Sequence, residues 1–110
     1  IYDKAKRYED AAREIDAAER MSKTDDERET VHFMRGALFE KQKKHDQAEA
    51  EFRKVLKVNP ESAAAMNYLG YMLADRGERL QEALKLIQQA VEREPFNGAY
   101  LDSLGWAYFR

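Results

Sequence analysis

Residues 66–95 read MNYLGYMLADRGERLQEALKLIQQAVEREP, and the order of features in this stretch decides the fold. Met66, Leu69 and Leu73 recur at three- and four-residue steps, Gly77 interrupts them, Ala83, Leu84, Ile87, Ala90 and Val91 resume the pattern, and Pro95 stops it. That spacing lines apolar side chains along one side of a helix, so the stretch predicts two amphipathic helices joined by a glycine turn. A shift of 35 residues lays the preceding stretch on this one. Gly36, Ala48, Phe52 and Asn59-Pro60 find counterparts in Gly70, Ala83, Ile87 and Glu94-Pro95, with a glycine spacing of 34 because one residue is inserted before Ala83. A third copy opens at Gly98, where Leu104-Gly105 repeats Leu69-Gly70. Periods of 20 to 50 residues are the mark of stacked supersecondary units.

The rest of the chain reads the same way. Tyr8, Ala11, Ala12, Ile15, Ala18 and Met21 predict a helix from about Tyr8 to Met21. Thr24, three residues before Glu27, predicts a capping box that opens a helix ending near Lys44, with Val31, Phe33 or Met34, Leu38 and Phe39 inside. Asp46, with Glu49 three residues on, is expected to cap the next helix, which presents Ala48, Phe52, Val55, Leu56 and Val58 before Asn59-Pro60 stops it. A fourth helix is expected from about Ser62 to Asp75, closed by Gly77 in a left-handed conformation, and a fifth from about Leu80 to Arg93. Asn97 is placed to cap a sixth. Gly36, Gly70 and Gly105 each cost roughly 1 kcal/mol in a helix interior relative to alanine, which implies that a neighbouring helix passes too close for a side chain.

Composition narrows the function. Lys and Arg total 19 against 21 Asp and Glu, a formal charge of -2, so no general electrostatic footprint favours nucleic acid or an anionic membrane. There is no cysteine, and His32 and His45 have no metal-ligand companion at helical spacing, so neither cofactor nor metal is expected. No apolar run approaches the roughly 20 residues that span a bilayer, and the first residues lack a signal peptide's apolar stretch. The absent initiating methionine suggests excision from a longer protein, and the compartment stays open between bacterial cytoplasm and periplasm.

These residues resemble tetratricopeptide repeats, whose signature is an aromatic or apolar residue, Leu-Gly, an aromatic, then Ala, Phe, Ala and Pro. One copy reads His32, Arg35-Gly36, Phe39, Ala48, Phe52, Val55, Pro60, and the next reads Met66, Leu69-Gly70, Leu73, Gly77, Ala83, Ile87, Ala90, Pro95. His32, Arg35 and Val55 depart from the pattern, and Ala11, Ile15 and Ala18 fit the second helix of an earlier copy. The segments 67–71 and 101–106 look like bacterial members. The resemblance implies an all-α fold, a right-handed superhelical α-solenoid of antiparallel helix pairs, in one array over residues 1–110. Its parts are a partial repeat over 1–25, complete repeats over 26–60 and 61–96, and the first helix of a further repeat over 97–110.

In that family the first helix of each pair lines a concave groove that receives a peptide or helix of another protein. Helical spacing from the small residue puts Phe33, Ala37, Glu40 and Lys41 on the outward face of one copy. It puts Asn67, Tyr71, Ala74 and Asp75 there in the next, and Asp102, Trp106, Phe109 and Arg110 in the last. Phe33, Tyr71, Trp106 and Phe109 would form an aromatic stripe, with Asn67, Asp75 and Asp102 fixing register by hydrogen bonds. The alternative reading packs these aromatics against the protein itself. Some members clamp a C-terminal carboxylate with lysine, asparagine and arginine; Phe33, Ala37, Tyr68, Ala99 and Ser103 supply no cation at the matching positions.

Lys41, Lys43, Lys44 and His45 read as a solvated turn, Asp25, Asp26, Glu27 and Glu29 as helix capping, and His32 as a packed core histidine. No nucleophile with a paired base is evident, so a non-catalytic protein-interaction scaffold is the expected function. Accessory service to a larger enzyme is one alternative. Self-association is the other: the sixth helix has no partner helix in the sequence, and Ile1-Tyr2 corresponds to Leu38-Phe39 and to Ala107-Tyr108. The last helix of one molecule would then cover the first repeat of another.

Overall fold

The computed structural model describes residues 4–109, which form six α-helices: α1 (Lys4–Met21), α2 (Asp25–Lys41), α3 (His45–Val58), α4 (Ala63–Asp75), α5 (Leu80–Arg93) and α6 (Gly98–Phe109). The architecture is all-α; among the described residues no strand occurs, and no helix is long and apolar enough to cross a membrane. Ile1, Tyr2 and Arg110, on which expectations above rest, lie outside the described residues. The chain divides into two compact units, Ile1–Asn59 and Pro60–Arg110.

In the first unit α2 packs on both α1 and α3. The expected capping box opens α2: the Glu27 N–H donates to Thr24 Oγ1 at 3.2 Å, and Glu27 Oε1 accepts from the Thr24 N–H at 3.2 Å. Backbone donation from Lys23, then the Thr24 hydroxyl, holds the Glu27 carboxyl below its usual range. α2 ends at Lys41, short of the expected Lys44, because Lys43 turns left-handed at φ 63°. The Lys43 and Lys44 N–H groups then donate to the Glu40 and Phe39 carbonyls at 3.0 and 2.9 Å, closing a Schellman motif. The same early turn corrects the expectation for Asp46. Lys44 is the N-cap, without a side-chain hydrogen bond, and Asp46 sits inside the first turn of α3, where its charge favours the helix dipole.

A left-handed backbone costs a side-chain-bearing residue roughly 1–2 kcal/mol, part of which glycine gives back as greater freedom in the unfolded chain. Lys43→Gly is therefore expected to raise the unfolding free energy by about 0.5–1 kcal/mol, read as a higher urea midpoint with an unchanged slope. A lowered midpoint would mean that the lysine side chain itself holds the turn.

Gly36 is buried where α3 crosses: a Cβ there would lie 3.0 Å from the Phe52 ring, which is itself fully buried with Ala48 and Val55. Beside it is an arrangement that the apolar pattern did not announce. Glu51 is buried, His32 Nδ1 lies 2.9 Å from its Oε1, Arg35 Nη1 lies 3.7 Å from the same oxygen, and Lys54 Nζ donates to Oε2 at 2.8 Å. Arg35 Nη2 also donates to Asp16 and Glu19 of α1, at 2.8 and 2.9 Å. The two residues that depart from the repeat signature on α2 are thus answered by one acid on α3 and two on α1. At the open end of the hairpin Asn59 Nδ2 donates to both Glu29 carboxylate oxygens at 3.2 Å.

In the second unit α4, α5 and α6 pack on one another. Ser62 Oγ accepts from the Ala65 N–H at 3.3 Å and caps α4. Gly77, at φ 70°, closes α4 with the same pair of bonds: its N–H reaches the Ala74 carbonyl at 2.9 Å and the Glu78 N–H reaches Leu73 at 3.0 Å. The inserted residue of this copy lies in this turn, where Arg79 at φ 46° adds a second left-handed step before α5. Gly70 sits under α5, with a Cβ position 2.6 Å from Ile87 Cγ1 and 2.9 Å from the Ala83 carbonyl oxygen. Leu69, Leu73, Ala83, Ile87 and Ala90 are fully buried around it. Arg93 of α5 clasps Glu61 at the open end, Nε to Oε2 at 3.0 Å. Asn97 Oδ1 accepts from the Tyr100 N–H at 3.2 Å and caps α6 as expected. Gly105 is the exception to the glycine rule, since a Cβ built on it meets nothing within 4 Å.

Candidate partner-binding face

α4 buries Met66, Leu69, Gly70 and Leu73 against its neighbours, and this fixes what its other side presents. Asn67, Tyr71 and Asp75 follow one another at four-residue steps, so they share a face. Tyr71 is 42% exposed and Asp75 is exposed. Asn67 is half-buried, and its Oδ1 is shielded from solvent with no hydrogen-bond partner among the described residues. An amide oxygen in that state has lost its water without gaining a donor, a cost of order 1–3 kcal/mol.

α6 is oriented by Tyr100, Ser103 and Ala107, all buried. Burial pushes the Tyr100 phenol up, and the charges of Glu94 and then of Tyr68 on α4 add to the shift. With those residues inside, Asp102 is exposed, Trp106 is half-buried and Phe109 is exposed. The Trp106 and Phe109 rings stack with centroids 5.5 Å apart and planes 21° from parallel, an offset pairing that presents one broad apolar surface.

The second unit therefore holds six of the expected residues on two neighbouring helices: Asn67, Tyr71 and Asp75 on α4, Asp102, Trp106 and Phe109 on α6. Ala74 does not belong with them: it is fully buried, because four residues after Gly70 it shares the packed side of the helix. Arg110 lies outside the described residues. In the first unit Phe33 and Ala37 are half-buried on α2, and the Phe33 ring stands edge-on to Phe52 at 5.6 Å and 71°, engaged with its own core. Glu40 is half-buried and Lys41 exposed there; Lys43 and Lys44 are exposed too, the Lys44 ammonium lying over the Phe39 ring at 6.0 Å from its centroid.

A family model, the tetratricopeptide repeat, matches residues 1–54 and 33–98. The chain belongs to the tetratricopeptide repeat family. A TPR repeat-containing protein of Pseudomonas aeruginosa is 42% identical over 78 residues, which are 71% of this chain and 13% of that much longer protein. Among solved structures, the C-terminal TPR-containing domain of a Plasmodium falciparum FK506-binding protein superimposes with a TM-score of 0.72 at 21% identity, covering 77% of this chain and 56% of that one. Tetratricopeptide repeats are in general protein–protein interaction modules rather than catalysts, so a partner-binding face is what the family leads one to seek on α4 and α6.

Exposed apolar residues outside the expected set complete the picture. Phe96, Leu101 and Tyr108 are 98%, 45% and 63% exposed. The sequence held the signal for them: shifted back by 35 residues they fall on Glu61, Met66 and Leu73, two of which are core.

Proposed function

We propose that the face formed by α4 and α6 receives an apolar or amphipathic segment of a partner protein, and that the chain serves as a non-catalytic scaffold. The observation that carries this reading is the Asn67 amide oxygen, buried without a donor on the same face as Tyr71. A partner backbone N–H or side-chain donor arriving there satisfies it, and Tyr71 with the Trp106–Phe109 stack supplies the surrounding apolar area. Asp75 and Asp102 set the charge preference, favouring a segment with Lys or Arg near its ends. Phe33 and Ala37 take the corresponding positions of the first unit.

Selection of peptides from a random display library against the chain tests this. Enriched peptides are expected to combine an aromatic or aliphatic anchor with at least one basic residue. They should bind the Tyr71→Lys, Trp106→Lys double variant at least tenfold more weakly while its helicity is unchanged. Peptides that bind parent and variant alike would return these aromatics to a purely structural role.

A further inference from the structure

α4 and α6 carry charge of one sign only. Neither helix contains Lys, Arg or His, and their only charged residues are Asp75 and Asp102, in a chain of which 36% is charged. Of the two acids, Asp102 is exposed and, among the described residues, held by no hydrogen bond or ion pair. It stands four residues before Trp106, one turn along the same face of α6, so a group lying on the indole comes within reach of the carboxylate. Stacking on Phe109, with centroids 5.5 Å apart, holds the Trp106 ring in place. On α4, which packs against α6, the equivalent positions 35 residues earlier hold Asn67, with its unpartnered Oδ1, and Tyr71. The packing of α4 shows that this face is open in a repeat with its neighbours in place: Tyr71 stays 42% exposed although α5 and α6 both pack on its helix.

Resting on the partner-binding reading above, we infer that the partner's anchoring residue is an arginine, its guanidinium lying on Trp106 beside Tyr71 and donating to the Asp102 carboxylate and to Asn67 Oδ1. Each of these groups asks for the same chemistry. Aromatic faces attract a cation, a carboxylate takes a guanidinium through two parallel N–H bonds, and the amide oxygen accepts one of the donors left over. Lysine brings a compact, strongly hydrated ammonium that neither lies flat on a ring nor forks across a carboxylate. An apolar anchor would leave Asn67 Oδ1 without a donor and take Asp102 out of water unpaired. The anchor has a single address in the chain. At the places of Asn67, Tyr71 and Asp75, α2 carries Phe33, Ala37 and Lys41, where a cation in place of an acid repels arginine.

Short peptides from two display libraries, one with arginine as its only basic residue and one with lysine, are panned against the chain and the enriched sequences compared by fluorescence anisotropy. The arginine library is expected to enrich peptides that share one arginine. Replacing that residue with lysine, or with citrulline, which keeps the planar shape and loses the charge, should weaken binding at least tenfold. Asp102→Asn should weaken the arginine peptides to a similar extent and the citrulline peptides far less, a coupling that a merely structural role of Asp102 would not produce. The variant should keep the parent's helicity, because Asp102 is exposed and unbonded. Enriched peptides without a shared arginine, lysine or citrulline replacing arginine at no loss, or equal binding to the parent and Asp102→Asn overturns the arginine anchor. The partner-binding face outlives those results as long as the Tyr71→Lys, Trp106→Lys double variant still loses the peptides. Peptides indifferent to that double variant, or no enrichment from either library, overturn both.

Discussion

Replacing Glu51 with alanine lowers the stability of the fold by about 2–3 kcal/mol at neutral pH, toward the lower end of what removing one member of a buried ion pair costs, because His32, Arg35 and Lys54 retain some access to water. The loss comes from what is left behind. His32 Nδ1 and the Arg35 guanidinium face a cavity instead of a carboxylate, and Arg35 keeps only its bonds to Asp16 and Glu19. The second repeat shows how the same positions are filled without charge, with Met66, Leu69 and Leu86 where the first has His32, Arg35 and Glu51. The triple variant His32→Met, Arg35→Leu, Glu51→Leu is therefore expected to match or exceed the parent, since apolar replacement of a whole buried cluster is neutral or stabilising. Urea unfolding followed by circular dichroism measures both. A triple variant weaker than Glu51→Ala would show that the cluster packs by shape and not by charge.

The same carboxylate sets an acid dependence. Burial pushes the Glu51 carboxyl up, but hydrogen bonds from Lys54 and His32 outweigh burial and leave it below its ordinary value. The folded chain thus binds this proton more weakly than the unfolded chain does. Its contribution is complete above the unfolded pKa of about 4.3 and is lost as pH falls through the folded value. The triple variant should accordingly lose less stability than the parent between neutral pH and pH 3.

Helix number, the hairpin pairing and the occupied glycines were legible in the sequence because each leaves a periodic trace. Gly36 with Phe52 and Gly70 with Ile87 stand 16 and 17 residues apart, and the extra residue is the one spent in the Arg76 to Arg79 turn. The polar cluster was not legible, because His32 and Arg35 look like departures until Glu51, 19 residues from His32, is known to face them. Lys43 escaped notice for a similar reason: glycine announces a left-handed turn and lysine does not. The aromatic stripe was visible as helical spacing, but spacing cannot tell an outward ring such as Tyr71 from one engaged with its own core, as Phe33 is with Phe52. The buried Asn67 Oδ1 without a donor, on which the proposed docking face rests, leaves no trace in that spacing.

The three repeat glycines should respond to one and the same substitution with different signs. Alanine gains up to about 1 kcal/mol over glycine in a helix interior, so the substitution stabilises wherever the new methyl group has room. At Gly105 it has room, and Gly105→Ala is expected to raise stability by about 0.5–1 kcal/mol. At Gly36 the methyl would sit 3.0 Å from the Phe52 ring, and the two effects should nearly cancel as the ring shifts. At Gly70 one of the crowding atoms is the backbone carbonyl oxygen of Ala83, at 2.9 Å, which no rotamer change can move, and Ile87 Cγ1 is closer still at 2.6 Å. Relief there requires α5 to move away from α4, opening contacts around Leu69, Leu73 and Ile87. Overpacking of this kind costs about 1–3 kcal/mol, so Gly70→Ala is expected to destabilise by about 1–2 kcal/mol after the propensity gain. Helicity followed by circular dichroism in urea reads both units and so all three variants, and Trp106, the single tryptophan, reports by fluorescence on the second unit, which holds Gly70 and Gly105. The order of midpoints should be Gly105→Ala above parent, Gly36→Ala near parent and Gly70→Ala below. Equal gains at all three would mean that the helices of each pair sit farther apart than Ile87 and Phe52 indicate, and that the glycines answer to something other than helix crossing.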